Sequence, residues 1–244
     1  MKRFSPLILL AGILLAGALW LFLRPDPHRE ARGARALATR GLAEHLARTF
    51  PGQRALVVAN PFTREKGMAR GTVDMEEAGL RGLRAGFGQR LVLEAVAFPE
   101  LKPGALENPR ALLMDGATTT PLSYLVTDGA FDQLARQHPA CELIVSLIGL
   151  PAELERVDCW RTPGRPRFAL LLPDLRIIGD DAAVRSAVQS GKLVAFVCPR
   201  PGVSDTPVNM GEDIAVEFEK RFVLVTAANF DQVIQIYPNL FMTE

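Results

Sequence analysis

The sequence predicts an α/β fold in three layers, with a mostly parallel sheet, helices on both of its faces and one N-terminal transmembrane helix. Seven short apolar runs follow residue 51, and most are continuous rather than alternating, as in strands buried on both faces. Segments with helical periodicity separate several of these runs, which is typical of βαβ units. An uncharged apolar segment at the amino terminus predicts the membrane helix.

The membrane prediction comes from residues 6–23, which carry no charge and follow two basic residues. As a helix this segment would be roughly 27 Å long, close to the ~30 Å apolar core of a bilayer. Trp20 suits the membrane interface. A cleaved signal peptide is the alternative, because residues 16–18 are all small. Cleavage there would leave an apolar terminus, so we predict an uncleaved signal anchor over residues 1–24.

A basic segment over residues 25–50 is predicted to be a juxtamembrane linker or helix. Residues 24–50 carry six Arg against three acidic residues. A narrow apolar stripe of Leu37, Leu42 and Leu46 predicts a helix. This helix lies either against anionic lipid headgroups or in solvent as a spacer.

The side of the membrane follows from the order of the basic and apolar segments. An apolar segment behind a short basic start usually enters the membrane as a signal anchor, which places the domain in the periplasm or outside the cell. The positive-inside rule alone favours a cytoplasmic domain, because residues 24–35 add four Arg after the apolar segment. We expect the periplasmic or extracellular side.

The remaining residues, 51–244, are predicted to form one α/β domain, and their number suffices for a three-layer core. The predicted strands are 55–60, 91–98, 111–114, 143–150, 168–172, 193–198 and 222–226. The predicted helices include 76–87, 131–137, 181–190 and 212–221. Four glycines, Gly79, Gly82, Gly86 and Gly88, lie within or after the first of these helices and predict a weak helix and its cap.

Five of the predicted strands are followed by a proline that stops the strand and starts a loop. These prolines are Pro61, Pro99, Pro151, Pro173 and Pro199. Loops after parallel strands lie at one edge of the sheet, where open α/β sheets bind ligands. The alternative is that each proline only terminates its strand.

Composition and missing motifs exclude several classes of function. A net charge of +1 argues against a strongly basic nucleic-acid binder. The three cysteines and three histidines show no metal-ligand spacing. The sequence contains no nucleophile elbow, phosphate-binding loop or dinucleotide fingerprint. We therefore assign no catalytic residue, no metal and no cofactor, and expect binding rather than catalysis.

Residues 113–120 resemble the first motif of haloacid-dehalogenase-type phosphatases, and Ser146 and residues 177–181 stand where later motifs would follow. In that family an Asp at the first motif position is the nucleophile. Leu113 occupies that position here, so the covalent chemistry cannot occur. The resemblance leaves a degenerate phosphatase-like enzyme as one alternative, and Asp180 also suits a helix N-cap.

Two stretches together resemble one lobe of the type I periplasmic binding-protein family. Residues 76–87 with the strand 91–98 resemble its first helix and second strand, and residues 129–135 leading to 141–151 resemble a later helix and strand. The likeness covers about half of the chain. It implies two α/β lobes that close on a small solute, often a sugar, and residues 51–244 can supply one full lobe.

The candidate ligand-binding residues follow the predicted strands. They are Asn60, Phe62, Asp115, Thr118, Gly149, Asp174 and Arg200. For Asp115 and Thr118 the alternative role is that of turn and cap residues, and for Gly149 it is backbone geometry.

The leading hypothesis is a membrane-anchored, extracytoplasmic domain that binds a small solute. An accessory subunit of a membrane protein complex is the main alternative, with membrane proteins rather than a solute as its partners. Neither hypothesis involves nucleic acid.

Overall fold

The computed structural model describes residues 28–112, 116–203, 208 and 213–238. The anchor predicted over residues 1–24 lies outside these residues. Among the helices that are described, none combines the length and the apolar character needed to cross a bilayer.

Six strands form a single sheet. They are β1 (Arg54–Val58), β2 (Val92–Ala97), β3 (Leu143–Ser146), β4 (Arg167–Leu171), β5 (Leu193–Pro199) and β6 (Phe222–Val225). Their order is β2-β1-β3-β4-β5-β6, with β6 antiparallel to β5 and the other neighbours parallel. The prediction of a mostly parallel sheet is therefore confirmed.

Helices surround the sheet. They are α1 (Arg29–Thr49), α2 (Arg70–Phe87), α3 (Leu122–Leu125), α4 (Ala130–Gln137), α5 (Asp158–Arg161), α6 (Asp181–Gln189), α7 (Ile214–Arg221) and α8 (Phe230–Ile236). Short 3₁₀ helices cover Pro61–Arg64, Pro109–Ala111, Leu154–Arg156 and Leu175–Ile177.

Both faces of the sheet are buried, which explains the continuous apolar runs in the sequence. Ala55 and Val57 of β1 pack on the face covered by α1, α2 and α7. The alternate residues Leu56 and Val58 pack on the opposite face with residues of α4, α6 and α8. The predicted three-layer arrangement of helix, sheet and helix is present.

The basic segment before β1 is part of this core. Leu37, Leu42 and Leu46 of α1 are at most 1% exposed and pack against one face of the sheet. Within the segment predicted to be a linker or helix, α1 is a helix that packs into the core of the domain instead of forming a separate spacer. Its narrow stripe suffices because α1 lies very close to α2.

Small residues of α2 allow this close approach. A Cβ atom on Gly82 would lie 2.1 Å from Thr39 Oγ1 and 2.2 Å from the carbonyl oxygen of Ala36, both on α1. Gly86 meets α1 in the same way, 2.6 Å from the Ala43 Cβ. These glycines, predicted to mark a weak helix, instead form the contact surface between two helices.

The prediction of a strand over residues 111–114 is wrong for its first two residues. Ala111 ends the 3₁₀ helix Pro109–Ala111, and Leu112 caps it with its backbone N–H bonded to the Pro109 carbonyl. Pro109 favours this turn because its fixed φ suits the first position of a helix and it has no N–H to donate to a sheet. Residues 113–115 lie outside the described part of the chain.

We expect Gly82→Ala to destabilise the protein by about 1–3 kcal/mol, because the added methyl group must push α1 away from α2. Gly129→Ala is the matched control, since its φ is −85° and a Cβ there meets nothing within 4 Å. Urea unfolding of both variants measures the difference. Equal stability of the two variants would contradict the close packing of α1 on α2.

Candidate ligand-binding cleft

A cleft of about 370 Å³ opens at the carboxyl edge of the sheet, near the ends of β1, β3 and β4. Its polar lining consists of Arg35, Asn60, Thr72, Glu76, Thr119 and Thr120. Its apolar lining includes Met75, Leu122, Leu147 and Leu172. The chain leaves β1 towards β2 on one side, while β3 lies on the other, so the cleft occupies the switch point where open α/β sheets bind ligands.

Asn60 stands where β1 ends and is held by two contacts. Its side-chain Oδ1 accepts a hydrogen bond of 3.0 Å from the backbone N–H of Phe62, which starts the 3₁₀ helix Pro61–Arg64. Its own backbone N–H donates to Glu76 Oε1 at 2.8 Å. The Asn60 side-chain NH₂ group has no partner among the described residues, so it can donate to a ligand in the cleft.

An ion pair between α1 and α2 forms one wall. Arg35 Nη2 lies 2.7 Å from Glu76 Oε2, and the two side chains are 18% and 6% exposed. The same Nη2 lies 3.4 Å from the carbonyl oxygen of Leu147, just after β3. The wall therefore presents one positive and one negative group in partly dry surroundings, where each hydrogen bond is stronger than in water.

The loop after β3 is shaped by Ser146 and Gly149. Ser146 Oγ donates to the Gly149 carbonyl at 2.5 Å and accepts from the Ile148 N–H at 3.3 Å. Gly149 has φ +84°, and a Cβ there would lie 2.8 Å from Ser123 Oγ. Gly149 is needed for this backbone geometry, and it lies behind Thr120 rather than on the cleft lining.

Thr118 and Asp174, both predicted ligand residues, contact each other beside the cleft. Thr118 Oγ1 donates to Asp174 Oδ2 at 2.9 Å. Arg176 donates to both oxygens of the same carboxylate, at 2.9 and 2.6 Å, and also to the Ala117 carbonyl. Burial opposes ionisation of Asp174, but the hydrogen bonds from Arg176 and Thr118 outweigh it and hold its pKa below the ordinary value.

These contacts give Asp174 a positioning role. Its carboxylate is 2% exposed and already accepts from two side chains. It ties the loop after β4 to the segment 117–120, and this segment brings Thr119 and Thr120 to the cleft.

Of the other predicted ligand residues, two lie away from the cleft lining and one lies outside the described part of the chain. Phe62 is half-buried in the 3₁₀ helix after Asn60 and does not line the cleft. Arg200 donates to the Glu219 carbonyl at 2.6 Å and to the Tyr237 hydroxyl at 2.7 Å, beside a separate pocket next to α7. Asp115 lies outside the described residues.

The backbone at Leu172 is strained where the cleft meets β4. Its φ is +45°, the one positive φ of a non-glycine residue in the part of the chain that the structure describes. Its N–H still donates to the Val197 carbonyl at 2.9 Å, so neighbouring structure holds the conformation in place. Strained residues of this kind cluster at ligand sites.

Sequence reasoning missed Arg35, Glu76 and Leu172. A signal was present for Glu76, because it shares the buried face of α2 with Gly79, Leu83 and Phe87 at helical spacing. A buried carboxylate that faces the core needs a partner of opposite charge, and Arg35 is that partner. Among the described residues, no group of three His, Cys, Asp or Glu side chains could hold a metal ion.

Comparison with known proteins found similar proteins only among the solved structures. No family model matches the sequence, and no curated protein is significantly similar to it. A carbohydrate transporter from Acidothermus cellulolyticus 11B in complex with myo-inositol gives a TM-score of 0.48 at 13% identity, over 85% of this chain and 62% of that chain. An ABC transporter periplasmic solute binding protein from Actinobacillus succinogenes 130z with bound D-allose gives 0.46 at 12% identity, over 81% and 62%.

An arabinose binding protein from Geobacillus stearothermophilus gives a TM-score of 0.43 at 11% identity, over 82% of this chain and 62% of that chain. The solved structures to which this chain is similar thus include a periplasmic solute binding protein, the class that the sequence resembles. This chain spans less than two thirds of the length of each of these three proteins.

Asp174→Asn should destabilise the protein at pH 7 by about 1.5–3 kcal/mol, because the Arg176 guanidinium loses its ionised partner. A lowered pKa means that the carboxylate stabilises the fold at neutral pH and loses this effect as the pH falls below about 4. The difference between wild type and variant should therefore shrink from pH 7 to pH 3. Urea unfolding at both pH values measures it, and a difference independent of pH would contradict the role of the charge.

Proposed function

We propose that this protein is a membrane-anchored, extracytoplasmic domain that binds a small, uncharged, polyhydroxylated solute in the cleft at the carboxyl edge of its sheet. The observation that carries the proposal is the pairing of Arg35 with Glu76 beside the unpartnered amide of Asn60, within a volume of about 370 Å³. Pockets for small ligands begin at roughly 300 Å³.

The charges of the cleft favour a neutral solute. Arg35 and Glu76 compensate each other, so a bound anion or cation would leave one member of the pair without its partner. The guanidinium can donate and the carboxylate can accept hydrogen bonds from hydroxyl groups without separating. Thr72 and Thr119 add hydroxyl groups that do both, and Met75 and Leu172 offer apolar surface for the C–H face of such a solute.

The anchor and the extracytoplasmic side belong to the proposal as well. The uncharged residues 6–23 have the length of a membrane helix, and the basic residues Lys2 and Arg3 precede them. Residues 28–238 contain the described sheet and helices, so the anchor precedes the folded domain directly.

The two alternatives find less support in the geometry. A docking subunit needs a contiguous apolar surface, but the exposed large apolar side chains in the described residues lie on separate elements and loops: Val92, Leu106, Val203, Val216 and Ile236. For the phosphatase-like alternative, the Asp180 carboxylate accepts from the Ala183 N–H and caps α6.

Melting temperatures of the full chain in detergent test solute binding, with a panel of neutral pentoses, hexoses and cyclitols and the matching sugar phosphates. A neutral member at about 100 times its Kd should raise the melting temperature by roughly 5–10 °C. Sugar phosphates should give no larger shift than their neutral counterparts. No shift with any neutral member would contradict the proposal.

Two variants locate the site. Glu76→Gln and Thr119→Val should each abolish most of the shift, because each removes a hydrogen-bonding group from the cleft lining. Glu77→Gln is the matched control, since the Glu77 side chain is 62% exposed on the same helix and lies outside the cleft. Thr119→Val covers the case in which Glu76→Gln fails to fold, because Thr119 is exposed and supports no buried ion pair.

The anchor makes a separate prediction. The full chain should stay with membranes after alkaline carbonate extraction, and proteases added to spheroplasts should digest the folded domain. A chain released by carbonate would contradict the anchor, and a domain protected until lysis would contradict the extracytoplasmic side. Neither result depends on the solute.

A further inference from the structure

The direction of α1 places the cleft near the proposed anchor. Arg35, close to the start of α1, reaches the Leu147 carbonyl just past the end of β3. At the other end of the helix, the ring of Phe50 lies 5.2 Å from the guanidinium of Arg167, the first residue of β4. Helix α1 therefore begins at the carboxyl edge of the sheet and ends at the amino edge.

The length of the intervening chain limits how far the cleft can lie from the membrane. Residues 24–28 separate the apolar segment from α1 and span at most about 18 Å when extended. From Arg29 to Arg35 the helix rises roughly 9 Å. The carboxyl edge thus lies within about 27 Å of the bilayer, and the amino edge is about 20 Å farther along α1.

A basic surface surrounds the start of α1. We call Arg29, Arg64, Lys66 and Arg70 the basic edge patch. All four side chains are exposed, and none forms an ion pair with the described residues. Arg64 rests 5.1 Å from the centre of the Phe98 ring.

The patch joins the starts of two helices. His28, before α1, comes within 3.9 Å of where a Gly71 Cβ would lie on α2, and Arg32 pairs with Asp74 at 3.6 Å. Within residues 28–32 and 64–71, the exposed carboxylates are those of Glu30 and Glu65. The four cations of the basic edge patch therefore leave an excess of positive charge on this surface.

We propose that the basic edge patch lies on anionic lipid headgroups and turns the mouth of the cleft towards the membrane surface. The inference rests on the proposed anchor, because the anchor brings the patch to the bilayer. Unpaired cations at a membrane surface are attracted to anionic lipids over about one Debye length. A tethered patch remains near that surface, so a few charges suffice to select one orientation.

Spin labels on the full chain in vesicles test the orientation. Ala69→Cys places a label at the carboxyl edge, on the exposed and uncharged residue directly before α2, and leaves the four patch residues in place. Arg90→Cys places one at the amino edge, where the Arg90 carbonyl accepts from the Gly52 N–H. Cys141 and Cys198 are buried, and burial raises the pKa of Cys159 to about 12, so the native thiols react slowly at neutral pH. Nickel-chelating lipids report which label lies near the headgroups.

In vesicles of phosphatidylcholine and phosphatidylglycerol at 3:1, the label at position 69 should relax severalfold faster than the label at position 90. The difference should fall in pure phosphatidylcholine and in the Arg29→Gln/Arg70→Gln background. It should persist in the matched control Arg81→Gln/Arg84→Gln, which removes two charges from the exposed face of α2 outside the patch.

Equal relaxation of the two labels, or faster relaxation at position 90, would overturn the orientation. A difference that survives neutralisation of Arg29 and Arg70 would overturn the role of the patch. A chain that fails to float with vesicles would overturn the anchor and this inference together. Solute-induced shifts of the melting temperature in detergent do not depend on any of these outcomes. A failure of the proposed solute binding would therefore be recognised separately.

Discussion

The buried carboxylate of Glu76 is the constraint on which the site depends. One oxygen accepts from the Asn60 backbone, and the other lies 2.7 Å from the Arg35 guanidinium, which also reaches the Leu147 carbonyl. A buried charge without a partner costs several kcal/mol, so the fold can keep Glu76 only while Arg35 stays beside it. The position of α1 on α2, the end of β1 and the end of β3 are thereby fixed together.

Packing and charge support each other at this point. The close contact of Gly82 with Ala36 and Thr39 sets the distance between α1 and α2, and the ion pair sets their register along the helix axes. Beside the cleft, Arg176 and Asp174 hold the segment that carries Thr119. One ion pair thus lines the cleft and a second holds a segment that lines it, and the cleft lies at the ends of strands that are buried in the core.

Part of this arrangement could be predicted from the sequence. Continuous apolar runs predicted strands covered on both faces, and the prolines after five of them marked one edge of the sheet. Asn60 was found by this reasoning because it directly follows β1. Local sequence signals suffice for such features, since strand burial and strand ends depend on neighbouring residues.

Features that depend on residues far apart in the chain could not be predicted. Arg35 and Glu76 are 41 positions apart, and no spacing rule pairs them before α1 and α2 are known to be adjacent. Arg200 follows a strand as expected, but the antiparallel return of β6 brings the Arg221 carbonyl to its backbone and α7 to its side chain. Glycines with ordinary helical spacing gave no sign that a second helix would pack on them.

A double-mutant cycle on Arg35→Gln and Glu76→Gln, measured by urea unfolding, tests most directly whether one buried ion pair fixes the cleft. If it does, the second substitution should lower the free energy of unfolding far less once the first is present, with a coupling energy of about 1–3 kcal/mol. Costs that add within about 0.5 kcal/mol would show that the two side chains act independently. That result would contradict the central role of Glu76 in holding the cleft together.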